Sequence, residues 1–336
     1  MKAIVVDRPH QYTLKEIHRE KASQGQVRLR VKHIGFCASD VKILRGKHPF
    51  AKYPLIPGHE FSGEVIEAGD GCTLKKGDRV AVFPLFGCES CDPCQRDEVN
   101  RCQNLGIVGV NRNGGFCEEI VIDEKHLLRI PKNMMFEQAA LAEPVAVALR
   151  ACNRGECGSG NRIAVLGAGT IGPLIIQVSV SRGANVLLAT DQFDNRLQLA
   201  KEFGVVNTIN VTKEDRNIAR RKPSEYNVVF DCVGTEETFR QAVDLACSGG
   251  KIILVGLPFG EWKGMPISEF FRKELSLIVT RVYNRAEFTL AIDLLAKGTV
   301  DTSRIITHRL DMTNLKDALS LMEHSQQSAI KIVLTP

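Results

Sequence analysis

Ile163-Ala164-Val165-Leu166-Gly167-Ala168-Gly169-Thr170-Ile171-Gly172 is the stretch that decides the fold. A short apolar strand runs directly into G-x-G-x-x-G, and the residues beyond it read as a helix. Gly167, Gly169 and Gly172 permit a tight turn, close approach of the backbone to a pyrophosphate and close packing of the helix. The helix N-terminus at Thr170 and Ile171 offers N–H groups and a positive dipole to the same anion. The next apolar strand, Asn185 to Ala189, ends near Asp191, nineteen residues beyond Gly172. A carboxylate there accepts from ribose hydroxyls and repels a 2′-phosphate, so NAD is expected rather than NADP. Arg196 lies a little further on, where it could accommodate such a phosphate.

Working outward, apolar strands alternate with helical stretches from about Gly160: Ile163 to Leu166, Val186 to Ala189, Val228 to Phe230, Ile252 to Val255 and Leu275 to Thr280. Continuous apolar strands joined by crossover helices imply a parallel sheet covered on both faces. Asp231-Cys232-Val233-Gly234 and Gly256-Leu257 end two of these strands at the carboxyl edge, so Cys232 and Gly256 join the expected cofactor residues. Upstream, the first ~145 residues read as short strands broken by Gly, Pro and Asp, with alternation such as Val27-Arg28-Leu29-Arg30-Val31. Downstream come an amphipathic helix, Phe288 to Lys297, a strand region at Ile305 to Leu310, a helix, Leu315 to Glu323, and a last strand, Ile330 to Leu334. That tail is too small to fold alone and is expected to pack on the first domain.

The composition agrees with a two-domain globular protein: 336 residues, 44% hydrophobic and 25% charged, are ordinary values. A net charge of +5 is small and spread out. Its one concentration, Arg220, Arg221 and Lys222, reads as a solvated helix end or loop rather than a nucleic-acid patch. The start, Met1 to Asp7, reads as a strand and not as a signal peptide, and no apolar run reaches the length of a membrane span. No nucleic-acid or membrane partner is therefore expected, and the expected compartment is the cytoplasm. There, the eleven cysteines favour metal binding over disulfides.

Four of them, Cys88, Cys91, Cys94 and Cys102, follow C-x2-C-x2-C-x7-C among the turn residues Gly87, Asp92 and Pro93. Four thiolates can close a tetrahedron around zinc with no open position, which marks a structural site; an iron–sulfur cluster uses the same ligands. A second constellation, Gly35-Phe36-Cys37-Ala38-Ser39-Asp40 with Pro57-Gly58-His59-Glu60 and Glu143-Pro144, supplies the Cys, His and carboxylate of an open zinc site. Of the remaining cysteines, Cys72, Cys117, Cys152, Cys157, Cys232 and Cys247, most read as small core residues, with Cys152 and Cys157 a conceivable redox pair.

With Gly58-His59-Glu60, the four-cysteine loop, the glycine fingerprint and Leu141-Ala142-Glu143-Pro144 in place, the chain resembles the zinc-dependent medium-chain dehydrogenases over essentially its whole length. The resemblance implies an α/β plus β fold: a GroES-like β-rich catalytic domain (1–147) carrying both zinc sites, an inserted Rossmann doubly wound parallel-sheet NAD-binding domain (148–283), and a C-terminal return (284–336). It implies catalytic-zinc ligands at Cys37, His59 and a glutamate, with Glu143 or Glu60 filling the last position or holding water. Asp40 would fix the His59 tautomer, and Ser39 would conduct the proton of an alcohol. The alcohol-dehydrogenase branch relays that proton through a histidine where this chain has Lys42. Zinc would act as Lewis acid on a secondary alcohol whose hydride passes to NAD.

Within the family, Gly46-Lys47-His48-Pro49-Phe50-Ala51-Lys52-Tyr53-Pro54 and Ile306-Thr307-His308 are similar to enzymes oxidising hexonates such as L-gulonate or L-galactonate at carbon 5. Arg281 and Asn284 are similar to residues of polyol dehydrogenases. A substrate carboxylate would seek a basic partner among Lys42, Arg45, Lys47, Arg112 and Arg281, with Arg281 first because guanidinium pairs two oxygens at once. Relatives in this branch commonly carry a histidine and an aspartate where this chain has Gly109-Val110-Asn111-Arg112-Asn113-Gly114-Gly115-Phe116, which opens the alternative of a sugar phosphate or a polyol. L-Threonine is a further, less favoured substrate, and a non-catalytic NAD-binding sensor is the reading from another class. The resemblance also implies a homodimer or homotetramer, the last Rossmann strand commonly pairing across the dimer.

Overall fold

The computed structural model describes residues 1–213, 225–258, 262 and 264–336; Arg220, Arg221 and Lys222 lie outside the described residues. The chain forms two compact units, one of Met1–Glu143, Asn284–Gly298 and Thr302–Pro336, the other of Pro144–Tyr283 and Thr299–Asp301. The first boundary falls at 143/144, a few residues before the break in sequence texture. The helix Ala142–Arg154 begins ahead of that break. No helix among the described residues is long and apolar enough to cross a membrane.

The first unit is the GroES-like one. Its seven-stranded sheet runs in the order Ile306–Asp311, Lys331–Thr335, Gln26–Phe36, Glu60–Ala68, Arg79–Val82, Leu127–Arg129, with Glu119–Asp123 also paired to Gln26–Phe36. The alternation in the central strand explains its place: Val27, Leu29 and Val31 are buried, while Arg28 and Arg30 face outward, the two-residue period of a sheet with one covered face. The tail completes this core: Ile332 and Leu334 of the last strand and Leu315 and Leu319 of the helix Leu315–His324 pack with Phe36, Phe61 and Val65. The last strand runs antiparallel to Gln26–Phe36, pairing Ile332 with Phe36.

The second unit is a doubly wound Rossmann domain. Its six strands are parallel, in the order Asn207–Asn210, Asn185–Asp191, Arg162–Leu166, Tyr226–Asp231, Ala246–Leu254, Ser276–Val279. The registers Leu166 with Asp231 and Asp231 with Leu254 bring their carboxyl ends level, so the turns that follow share one edge. The polar strand Asn207–Asn210 has no continuous apolar run to announce it. It forms because it is a sheet edge, with Thr208 and Ile209 laid against Ala189 and Thr190.

Candidate active site

In the first unit, Cys37, His59 and Glu60 offer a sulfur, a ring nitrogen and a carboxylate oxygen that all lie within 4.8 Å of one another. Each arrives from a different local device. Cys37 is the N-cap of the short helix Ala38–Leu44. His59 follows Gly58, whose φ of +93° and contact with the Phe116 ring leave no room for a side chain. Glu60 opens the strand Glu60–Ala68, opposite Gly35.

Asp40, with no solvent exposure, joins the first two devices. Its Oδ2 accepts from the Cys37 N–H at 2.8 Å and its Oδ1 from the Gly58 N–H at 3.3 Å, with the His59 Nδ1 3.6 Å away. Ser39 Oγ stands 3.5 Å from the His59 Nε2. Burial works against a charged His59, yet Asp40 and the Cys37 sulfur outweigh it and hold the ring well above its usual pKa. That surplus of negative charge suits a divalent cation, and a soft sulfur, an imidazole and a carboxylate are zinc donors. The residues present therefore fit a catalytic zinc. Glu143 is buried but is not in this group; Glu60 is.

Lys331, which carries no signal in the sequence beyond being one cation in an apolar strand, sits against this group. Its exposure is 2%, and its Nζ reaches Glu60 Oε1 at 2.7 Å and Oε2 at 2.6 Å. Burial disfavours the ammonium, but Glu60 and then Cys37 keep it charged. Glu60 also requires Gly35, because a Cβ there would stand 2.0 Å from Oε2.

The sulfurs of Cys88, Cys91, Cys94 and Cys102 likewise lie within 4.8 Å of one another. Cys91 caps the one-turn helix Asp92–Gln95, and the 3-10 turn Val99–Arg101 delivers Cys102. Gly87 leaves room for the Cys94 sulfur, which a Cβ would approach to 2.6 Å. The thiols are driven apart: hydrogen bonds from Ser90 pull Cys88 down to about 6, while burial pushes Cys94 up to about 12. One cation bound by all four would remove that conflict.

In the second unit the glycine turn has the expected form. Gly167 has a φ of +91°, and a Cβ on Gly172 would lie 2.1 Å from the Gly167 carbonyl oxygen. Gly169 is different: the nearest group to a Cβ there is Arg196 at 3.7 Å, so the turn has a face against which a pyrophosphate can lie, and the residues fit NAD. Asp191 accepts from the Ala168 N–H at 2.8 Å and also from Gln192 and Phe193 at 2.8 and 3.1 Å. It thus braces the glycine turn and the start of the helix Asp194–Glu202, with Arg196 Nη1 3.8 Å away.

The other expected substrate residues separate by environment. Lys42 is half-buried, and burial lowers its pKa against the pull of the Cys37 sulfur. Arg45 is spent on Glu323, 2.8 Å from its Nε, and Arg112 lies over the Phe86 ring at 4.5 Å. Asn284 spends its side-chain oxygen capping the helix Arg285–Ala296, accepting from the Glu287 N–H at 2.9 Å. Arg281 is exposed after the last parallel strand. In the segment that departs from relatives, Asn111 and Asn113 accept from the backbone N–H groups of Ile107 and Ile56 at 2.7 and 3.1 Å, so they hold the turn in shape.

Comparison with known proteins bears on the same two units. The alcohol dehydrogenase GroES-like domain matches residues 23–132, and the zinc-binding dehydrogenase domain matches residues 170–297. The chain is 35% identical over 340 residues to the starvation-sensing protein RspB of Escherichia coli K12, covering 100% of this chain and 99% of that protein. The chain belongs to the zinc-dependent medium-chain dehydrogenase family. The dehydrogenase is also 30% identical to L-idonate 5-dehydrogenase of Vitis vinifera, over 91% of this chain and 87% of the relative. Among solved structures it is similar to a short chain alcohol dehydrogenase (rspB) from Escherichia coli CFT073 complexed with NADH, at a TM-score of 0.93 and 32% identity, covering 100% and 99% of the two chains. It is a zinc-containing, NAD-dependent enzyme acting on a CH–OH group.

Proposed function

We propose that this dehydrogenase oxidises a secondary alcohol of a sugar acid, a hexonate such as L-gulonate or L-galactonate at carbon 5, with NAD as hydride acceptor. The observation that carries the reading is the Cys37, His59 and Glu60 group with half-buried Lys42 on the helix that Cys37 caps, near enough for the Cys37 sulfur to act on it: a metal position that binds a hydroxyl beside a cation that suits a carboxylate. The relative named for 5-dehydrogenation of L-idonate points the same way.

In this reading Cys37, His59 and Glu60 hold the catalytic zinc, with Glu143 as the other candidate carboxylate, and Cys88, Cys91, Cys94 and Cys102 hold the structural one. The catalytic zinc, when bound, supplies Lewis acidity that makes a substrate hydroxyl easier to ionise near neutral pH. Asp40 keeps the His59 ring oriented through its Nδ1. Ser39 accepts the hydroxyl's hydrogen bond at its Oγ and passes its own proton on to solvent as the hydroxyl ionises. Lys331 pairs its ammonium with Glu60 and limits where that side chain can swing. Lys42, in the same unit as the metal group, receives the substrate's carboxylate; Arg281 is the alternative partner, its guanidinium able to pair two oxygens at once. In the second unit Gly167, Gly169, Thr170, Ile171 and Gly172 receive the pyrophosphate, while Asp191 meets the adenosine ribose and selects NAD over NADP. Cys232 and Gly256 stand at the same sheet edge.

The test is NADH formation with a panel of hexonates, polyols and their phosphates. A hexonate should lead in kcat/KM by at least about tenfold, the free energy of one good ionic contact. A polyol or a sugar phosphate in the lead would replace the substrate reading while leaving the chemistry. Zinc-loaded protein inactive on every secondary alcohol would favour the sensor, as would one zinc per chain found at the cysteine loop alone.

We also read the molecule as a homodimer or homotetramer. The strand Ser276–Val279 ends its sheet, and Phe271, Ile267 and Val279 beside and on it are 90%, 61% and 60% exposed, an apolar edge suited to a second copy.

A further inference from the structure

We propose that Asp231 is the positioning residue of the nucleotide cradle, holding the Cys232-Val233-Gly234 turn in its cofactor-ready shape and thereby setting NADH affinity. The proposal rests on the reading of the second unit as the NAD-binding one.

Asp231 ends the strand Tyr226–Asp231 with no solvent exposure. Its Oδ1 accepts from the Val233 and Gly234 N–H groups, both at 3.0 Å, and its Oδ2 from the Thr238 hydroxyl at 3.0 Å. Its main-chain oxygen accepts from Val255 and Gly256, both at 2.9 Å, and the next residue, Cys232, donates to the Leu166 carbonyl at 2.9 Å. Asp231 thus ties the turn after its own strand to the turn after one neighbouring strand, and Cys232 ties it to the end of the other.

The fit between those turns has little slack. A Cβ on Gly234 would stand 2.7 Å from the Gly256 oxygen, one on Gly256 would stand 2.4 Å from the Val233 carbonyl carbon, and one on Gly167 would stand 2.7 Å from Val233 Cγ2. The 232–234 turn is wedged between the glycine fingerprint and the 255–257 turn, at the carboxyl edge where dinucleotides lie. Val233 and Leu257 are 45% and 46% exposed on that edge, apolar side chains available to a nucleotide. A buried carboxylate with three donors is a costly way to stabilise a turn. Its distinctive gain is preorganisation: a turn already in place need not be ordered when the cofactor binds.

The experiment titrates full-length, zinc-loaded protein with NADH and reads nucleotide fluorescence, alongside zinc content and melting temperature. Asp231→Ala is expected to weaken NADH binding about tenfold with two zincs retained, and Asp231→Asn, which keeps an acceptor for the two N–H groups, to recover most of the loss. Lys273→Met, which removes a buried ammonium donating to the carbonyls of Val243, Asp244 and Ala246 in the same unit, should lower the melting temperature without moving NADH affinity. An Asp231→Ala protein that binds NADH within twofold of the parent overturns the proposal and leaves Asp231 a stabiliser only. Should that variant fail to fold, Gly234→Ala decides on the same thresholds, because it disturbs the same wedge. A parent protein that does not bind NADH overturns the cofactor reading and this proposal together, which separates the two failures.

Discussion

A lysine with 2% exposure and a glutamate with 1% persist together inside the first unit because each is the other's neutralisation. Removing one partner leaves a bare buried charge, which costs about 3–5 kcal/mol. Lys331→Met is therefore expected to destabilise the protein by that order, and Lys331→Met with Glu60→Met to recover much of it, read by chemical denaturation. Gly35 controls the same carboxylate sterically. Gly35→Ala is expected to drop zinc content from about two per chain to one, the cysteine loop keeping its metal, as mass spectrometry of the native protein would report.

His126 supplies a pH effect through a ring that is in neither metal group. It stacks on Phe86 at 3.6 Å and lies near Phe83 at 6.4 Å, and burial lowers its pKa to about 4. The folded chain keeps this ring neutral while the unfolded chain protonates it near 6.5, so stability is lost as pH falls from about 6.5 to about 4 and is flat below. The loss is about 3 kcal/mol at most, from 1.36 kcal/mol per pKa unit. His126→Phe should flatten stability across that window.

At the scale of elements, the short helix of the cysteine loop brings little packing of its own, so the proposed zinc is expected to carry much of the loop's stability. Its helix Asp92–Gln95 has four residues and none buried, and its ion pairs, such as Arg101 with Glu98 at 3.0 Å, are exposed ones worth under about 1 kcal/mol. Cys94→Ser is therefore expected to lower the melting temperature and make the 87–102 segment sensitive to protease, while the Cys37 and His59 site still takes zinc. The spacing of those cysteines was legible in the sequence because all four ligands fall within one loop. Glu60 against Glu143 was not, because that choice depends on which carboxylate a sheet register brings to Cys37 and His59. Asn284, expected near substrate from the resemblance, also caps a helix, a role fixed by the Glu287 N–H three residues later.

For the molecule as a whole, the exposed edge at Ser276–Val279 predicts self-association. Val279→Asp should shift the protein toward monomer in sedimentation at micromolar concentration, with the zinc content unchanged; a native protein already monomeric there would remove the assembly reading.

Periodicity and spacing were enough to read the two kinds of core, the glycine turn and the four-cysteine loop, whereas the set of Cys37 and His59 came from the family resemblance. The first three are patterns along the chain, which neighbouring residues settle among themselves. Only the tertiary structure decided that Lys331 meets Glu60 across a separation of 271 positions, that Gly35 must lack a side chain to seat that glutamate, and that the Asp231 carbonyl receives the N–H groups of Val255 and Gly256. Each of these is a contact between strands distant in sequence, and its energy comes from the burial and close approach that exist only after the sheets have formed.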